Sequence, residues 1–120
     1  MFSRSILAIS AYVSLVSAAA LDVFVPPITS PSASTKWTAG AVETVTWDTS
    51  NAPAQISNPS GIVVLEKGGL PVATLKDGFP ITDGSVDVTV PANLTTGTDY
   101  TIILFGDSGN VSPQFEIDSA

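Results

Sequence analysis

The 120-residue chain contains no cysteine and no histidine. The lack of cysteine excludes disulfides, and the lack of both residue types removes the usual protein ligands of zinc, copper, haem and iron–sulfur clusters. Without histidine the chain also cannot form a His-based catalytic triad or dyad. We therefore expect no metal and no cofactor. Stability must come from the packing of apolar side chains.

Basic residues are also scarce, with four Lys and Arg against eleven Asp and Glu. The only arginine, Arg4, lies in a segment that we predict is removed, which leaves three lysines against eleven carboxylates and a net charge of −8. Nucleic-acid binding requires many Lys and Arg to displace counterions from phosphate, and binding to anionic bilayers requires a basic patch. The composition excludes both kinds of partner.

The first twenty residues have the three parts of a secretory signal peptide. Arg4 precedes an apolar run at residues 6–16, and small residues fill positions 17–20. We predict cleavage after Ala20, or one residue earlier. The apolar run is too short for a transmembrane helix, which needs about 20 residues. The predicted organisation is a signal peptide at residues 1–20 and a single secreted domain at residues 21–120.

The rest of the chain has the period-two patterning of β-strands and no helical period. In residues 85–90, Val86, Val88 and Val90 alternate with Ser85, Asp87 and Thr89. Other predicted strands lie at residues 42–47, 62–65, 70–75, 100–105 and 114–117, after an N-terminal edge strand whose prolines favour a break or a change of sheet. Gly68 and Gly69 predict a hairpin turn. The predicted fold is all-β, an antiparallel immunoglobulin- or fibronectin-III-like β-sandwich of about seven strands.

Three aromatic residues carry structural or binding hypotheses. Tyr100 begins the penultimate strand, where such sandwiches place a tyrosine that bonds back to the preceding corner; an ordinary strand tyrosine is the alternative. Trp47 lies within a patterned strand, which favours a core position. Trp37 precedes a turn and is the candidate carbohydrate contact, since exposed indoles stack on sugar rings. Its alternative role is packing against the end of the sandwich.

The acidic residues do not predict an active site or a metal site. Glycoside hydrolysis needs two carboxyl groups, and Asp77, Asp83 and Asp87 lie near one another in sequence. Asp77-Gly78 and Asp83-Gly84 are turn dipeptides, however, and Asp87 lies on the polar face of its strand, which explains these residues better. Residues 107–110 offer oxygen ligands in a short turn, yet they lack the ligand series that ends in a bidentate glutamate in an EF-hand. We predict a turn there, no metal ligand and no catalytic residue.

Two N-glycosylation sequons occur in predicted turns. They are Asn93-Leu94-Thr95 and Asn110-Val111-Ser112, and they make Asn93 and Asn110 candidate glycosylation sites.

Motifs spread over nearly the whole mature chain resemble those of a known family. They are Val-Pro at 25–26, Trp-Thr-Ala-Gly at 37–40, Val-Thr-Trp-Asp-Thr at 45–49, Val-Pro at 90–91 and, after Tyr100, Leu-Phe-Gly-Asp-Ser-Gly-Asn-Val-Ser-Pro-Gln-Phe at 104–115. In this order they resemble the N-terminal immunoglobulin-like domain of fungal cell-wall β-1,6-glucan assembly proteins and of the Ser/Thr-rich GPI-anchored family. The resemblance implies a fungal secreted protein of the wall or extracellular matrix, and it implies no reaction.

The sequence ends at Ala120 without the Ser/Thr-rich spacer and hydrophobic tail of a GPI signal, so we expect no membrane anchor. The resulting hypothesis is a secreted, non-enzymatic domain of the cell wall that contacts wall polysaccharide or a wall protein. Two alternatives remain. One is a secreted protein-interaction module such as a host-directed effector, and the other is a scaffold that assists glucan assembly inside the secretory route.

Overall fold

A computed structural model describes residues 24–56, 58–106 and 109–120. Within these ranges it contains nine β-strands and one turn of 3₁₀ helix at Ile81–Asp83. The strands are β1 Ile28–Ser30, β2 Lys36–Thr38, β3 Val42–Trp47, β4 Ser60–Lys67, β5 Leu70–Pro80, β6 Ser85–Thr89, β7 Gly97–Phe105, β8 Gly109–Val111 and β9 Phe115–Asp118. The signal peptide predicted at residues 1–20 lies outside the described residues.

The predicted all-β sandwich is confirmed, with nine strands among the described residues in place of about seven. The two strands that patterning did not predict, β2 and β8, have three residues each. A three-residue strand is too short to display a recognisable alternation, so only pairing with a neighbour defines it. Strand β8 also replaces part of the turn that was predicted at residues 107–110, of which Asp107 and Ser108 lie outside the described residues.

The strands form two sheets. The smaller sheet has the order β1-β3-β6, and the larger sheet has the order β2-β9-β7-β4-β5, with β8 also paired to β7. All pairs are antiparallel except β2 with β9, which is parallel. Because β1 and β2 belong to different sheets, the chain changes sheet across residues 31–35. This change confirms the prediction made from the N-terminal prolines.

The core lies between the inner faces of the two sheets. Alternation turns every second side chain inward, because successive residues of a strand point to opposite faces. The smaller sheet contributes Val45, Trp47 and Val88, while the larger sheet contributes mainly Val63, Leu65, Tyr100, Ile102, Leu104, Phe115 and Ile117. Burial of this apolar surface provides the main driving force for folding, at about 25 cal/mol per Å².

Tyr100 forms the predicted tyrosine corner. Its side chain is fully buried, and its hydroxyl donates a hydrogen bond of 2.7 Å to the carbonyl oxygen of Thr95. Leu94 packs against the core from the same connection. The loop between β6 and β7 is therefore attached to the sandwich at both a polar and an apolar point.

Two local features set the register of the larger sheet. Gly68 and Gly69 have φ angles of 59° and 82° and close the β4–β5 hairpin, as predicted, because glycine adopts positive φ without strain. Strands β8 and β9 both pair with β7, and the pairing with β7 is interrupted at Ser112, which lies between them. Its backbone N–H donates to the Ile102 carbonyl, while its Oγ accepts from the Ile102 N–H, each at 2.9 Å. The buried serine hydroxyl thus accepts the hydrogen bond of the Ile102 N–H next to Pro113, which has no N–H of its own to donate.

Candidate binding surfaces

The outer face of the smaller sheet carries a set of oxygen-bearing side chains. Strand β3 turns Val45 and Trp47 inward, so its even-numbered residues point outward, and β6 alternates in the same way. We call this surface the hydroxyl face. It consists of Thr29 on β1, Thr44 and Thr46 on β3, and Ser85, Asp87 and Thr89 on β6. Val42 is the outward apolar residue of β3 and lies beside this face, opposite Thr89.

Pairing between strands sets the hydroxyl face in rows. Thr44 lies opposite Asp87 and Thr46 lies opposite Ser85. The Thr44 Oγ1 donates to Asp87 Oδ1 at 2.7 Å, and the Oγ1 atoms of Thr29 and Thr46 are also 2.7 Å apart. Directly opposed residues in antiparallel strands are about 4.5–5.5 Å apart, and alternate residues of a strand are about 7 Å apart. The side-chain oxygens therefore lie in rows across the sheet.

The hydroxyl face has a distinct electrostatic character. The three lysines of the described residues all lie on the larger sheet, namely Lys36 on β2, Lys67 on β4 and Lys76 on β5. Hydroxyl groups both donate and accept hydrogen bonds, whereas the one carboxylate of the face, Asp87, accepts. Such a surface is suited to a neutral partner that itself carries hydroxyl groups and unsuited to an anion.

The outer face of the larger sheet is apolar over β4, β7 and β8. Ile62 lies opposite Phe105, Val64 lies opposite Ile103, and Ile103 also pairs with Val111. Ile62 is 40% exposed and Val111 is 55% exposed, and the other three are partly exposed. We call these five residues the apolar face. Contiguous exposed apolar side chains are characteristic of protein interaction sites.

Neither face was predicted as a site from the sequence. The alternation at residues 85–90 indicates the polar residues of β6. These residues become part of a larger surface only because β3 pairs with β6 and β1 pairs with β3. The signal for the apolar face was the continuous apolar run at residues 62–65 and the similar run at residues 102–105. In both runs the outward residues are apolar as well as the inward ones.

The structure corrects the prediction that Trp37 is a carbohydrate contact. Its side chain is only 3% exposed, and its ring meets that of Phe115 edge to face at a centroid distance of 4.8 Å. Strand β2 points the indole inward because Lys36 and Thr38 take the two outward positions. A sugar ring needs an open aromatic face, so the alternative role of packing in the sandwich fits this position.

Trp47 lies in the core, as predicted. Its ring packs against Phe79 at a centroid distance of 5.5 Å. The indole Nε1 donates a hydrogen bond of 2.7 Å to the carbonyl oxygen of Ile81. The buried indole N–H is therefore satisfied, and it holds the 3₁₀ turn against strand β3.

The two sequon asparagines have different environments. Asn93 is exposed in the loop between β6 and β7, as expected for a turn. Asn110 lies within strand β8 instead of a turn, is partly buried, and donates from Nδ2 to the carbonyl oxygen of Pro26 at 2.6 Å.

The acidic residues considered for catalysis lie on separate elements. Asp77 lies within β5 of the larger sheet, Asp83 ends the 3₁₀ turn, and Asp87 belongs to β6 of the smaller sheet. The β5 strand extends through the Asp77-Gly78 pair that was predicted as a turn, and Gly78 adopts a φ of 72° there. In the described ranges, no group of three or more Asp and Glu residues is arranged to hold a metal ion.

Two ion pairs lie on the larger sheet, and contacts around them shift the pKa values of Lys67, Asp99 and Glu116. Lys67 Nζ donates to Asp99 Oδ1 at 2.7 Å, which lowers the pKa of the Asp99 carboxyl and raises the pKa of the Lys67 amine. On β9, a hydrogen bond shared with Asp118 raises the pKa of Glu116, against the opposing effect of Lys36 at 4.0 Å. The first pair ties the β4–β5 hairpin to the start of β7, and the second lies at the β2–β9 edge, beside a groove of about 180 Å³.

The two packed sheets, the N-terminal change of sheet and the tyrosine corner define an immunoglobulin-like domain. The chain belongs to the family described as the Kre9/KNH-like N-terminal Ig-like domain, whose family model matches residues 30–117. This match confirms the resemblance found in the sequence motifs. No curated protein and no solved structure matches the chain.

The family is linked to cell-wall glucan assembly and is not a known enzyme class. Membership implies a cell-wall or secreted location. None of the elements in the described part of the chain is a helix long and apolar enough to cross a membrane.

Proposed function

We propose that the protein is a secreted, non-enzymatic cell-wall domain that contacts wall glucan through the hydroxyl face. Residues 1–20 direct its export, and residues 21–120 form one sandwich domain. The observation that carries the proposal is the set of five hydroxyl groups and one carboxylate that strand pairing brings together on the outer face of the smaller sheet. The family's link to glucan assembly supports the choice of a polysaccharide partner.

The chemistry of the face matches a neutral glucan. Sugar hydroxyls donate and accept hydrogen bonds, as Thr and Ser hydroxyls do, so each contact can form in either direction. One such bond contributes only about 0.5–1.5 kcal/mol, which makes a repeated set of contacts necessary for retention. A polymer laid along the sheet meets several rows at once, and its successive contacts reinforce one another.

The arrangement favours binding over hydrolysis. Glycoside hydrolysis uses two carboxyl groups on either side of the scissile bond. Asp87 is the single carboxylate of the hydroxyl face, and it already accepts a hydrogen bond from Thr44. A face of this kind can hold a sugar chain, and it offers no second acid for the reaction.

The test is retention of the secreted protein on insoluble β-1,6-glucan, β-1,3-glucan and chitin. Expression in a fungal host should yield secreted material that begins at Leu21 or Ala20. The double variant Thr44→Val/Thr46→Val removes two hydroxyls while it keeps β-branched side chains of similar shape. We expect it to lose glucan retention with an unchanged circular dichroism spectrum.

The matched control is Thr74→Val, which removes an exposed hydroxyl from β5 on the larger sheet. It should bind as the unaltered protein does. Equal retention of the double variant and the control would refute the hydroxyl face as the glucan contact.

The apolar face supports a second candidate function, a secreted protein-interaction module that contacts a wall protein or a protein of another organism. Ile62→Ser/Val111→Ser would make its most exposed part polar, and Leu70→Ser is the matched control because Leu70 is 71% exposed in the hairpin. Loss of a captured wall protein with the double variant alone, together with unchanged glucan retention, would favour this function over the first.

A further inference from the structure

We infer that Asn93 is the N-glycosylated residue of this protein and that Asn110 is a structural asparagine that stays unmodified. The inference goes beyond the proposed function and requires only that the chain enter the secretory route. Both residues satisfy the Asn-x-Ser/Thr pattern, so the sequence treats them alike. Their surroundings in the fold separate them.

Asn93 has the surroundings of an acceptor. The asparagine and Thr95, whose hydroxyl completes the sequon, are both exposed in the connection between β6 and β7. The loop is held from beneath, since Leu94 packs against the core and Tyr100 bonds to the backbone carbonyl of Thr95. Neither attachment uses the side chain of Asn93 or the hydroxyl of Thr95. A glycan on Asn93 would therefore leave the corner intact.

Asn110 has a structural role that a glycan would disturb. Its Nδ2 donates to the carbonyl oxygen of Pro26 at 2.6 Å, which ties β8 to the segment before β1 across 84 positions of sequence. The third sequon residue, Ser112, is 5% exposed, and its Oγ bonds to both Ile102 and Pro113. A sugar on Nδ2 would have to fit between β8 and the N-terminal segment.

The modification itself is a balanced group transfer. A lipid-pyrophosphate-linked oligosaccharide is the co-substrate, and a membrane oligosaccharyltransferase of the secretory route is the catalyst. The Nδ2 of Asn93 forms a bond to C1 of the first sugar, and the bond from C1 to the pyrophosphate oxygen breaks. The lipid pyrophosphate leaves with the electron pair, and Nδ2 loses one proton.

The glycan would lie at the end of the sandwich. Asn93 follows the last β3–β6 register pair, Val42 with Thr89, and the loop adjoins the turn before β3, where the Gly40 N–H donates to the Val90 carbonyl at 2.9 Å. This position is outside the rows of the hydroxyl face. It lies before the start of β7, whereas β8 pairs with the end of β7. Both outer faces can therefore coexist with the modification.

The experiment is site-resolved mass spectrometry of the full chain expressed in a glycosylating fungal host, with cell-associated and secreted material pooled. Peptide N-glycosidase in ¹⁸O-water converts a glycosylated asparagine to ¹⁸O-labelled aspartate. We expect the label at Asn93 and its absence at Asn110. Asn93→Gln should abolish the glycosylated form, and Asn110→Gln should retain it.

A second pair of variants separates loss of the sequon from damage to the loop. Thr95→Ala removes the acceptor pattern without touching Asn93, and Thr95→Ser restores it, while both keep the backbone carbonyl that Tyr100 bonds. Glycosylation should be lost in the first and present in the second. Label at Asn110 in the unaltered chain, or at neither asparagine, would overturn the inference.

Discussion

Replacement of Trp37 by alanine is the most direct test of the structural role assigned to this residue. An aromatic side chain of this size buries about 150–250 Å², and only 3% of the Trp37 surface is exposed. At about 25 cal/mol per Å² the lost burial corresponds to about 4–6 kcal/mol before the retained methyl group is subtracted. The edge-to-face contact with Phe115 adds about 0.5–1.5 kcal/mol.

Burial areas give an upper estimate because the unfolded chain already buries part of its apolar surface, so we expect Trp37→Ala to lower the free energy of unfolding by about 3–5 kcal/mol, in line with other aromatic-to-alanine changes in cores. A domain of this size is stable by about 5–15 kcal/mol, so the variant should be close to its stability limit. Urea unfolding followed by far-ultraviolet circular dichroism measures the change directly. The signal does not depend on the deleted indole.

Two control variants bracket the result. Trp37→Phe keeps a ring against Phe115 and should lose clearly less stability than the alanine variant. Val42→Ala alters a residue that is 65% exposed and should change stability by less than about 0.5 kcal/mol. A loss below about 1 kcal/mol for Trp37→Ala would refute the packing role. Loss of glucan retention by a stable Trp37→Phe protein would restore the indole as a sugar contact.

Three further perturbations test other parts of the structure. Gly61→Ala should cost about 1–3 kcal/mol in urea unfolding, because a Cβ atom there would overlap the buried ring of Phe79; an unchanged midpoint would contradict that packing. Tyr100→Phe should cost about 1 kcal/mol by removing the corner hydrogen bond, and a neutral effect would show that the bond contributes nothing. Asp118→Asn should lower the pKa of Glu116, measured by ¹³C NMR titration. The raised pKa of Glu116 stabilises the folded state below the unfolded-state pKa, and this contribution is lost as the pH rises through the folded-state pKa. In the variant, the free energy of unfolding should therefore decrease less over this pH range.

The two outer faces are suited to two different classes of partner. The hydroxyl face is polar and without lysine, which favours a neutral polymer. The apolar face gains most from a partner that removes it from water. Because the faces lie on opposite sides of the core, substitutions on one should leave the other unchanged. The two sets of variants can therefore be interpreted independently.

Local sequence was sufficient for the features that depend on neighbouring residues. The alternation at residues 85–90 predicted β6 and the face on which Val88 lies, since the side-chain period of a strand is two. Gly68 and Gly69 predicted the hairpin because positive φ is a property of the residues themselves. The absence of cysteine excluded disulfides without any knowledge of the fold. The family resemblance, carried by ordered motifs, was also available from the sequence.

Only the tertiary structure showed the surroundings of each candidate site residue. Trp37 is buried because β2 pairs with β9 and meets Phe115, and no local pattern encodes that contact. The Asn110 side-chain amide donates to the Pro26 carbonyl, which lies 84 positions away in sequence, so no local pattern could reveal this contact. The hydroxyl face likewise exists only where three separated strands become neighbours. Periodicity determines which side of a strand a residue occupies, but the pairing of distant strands determines what that side meets.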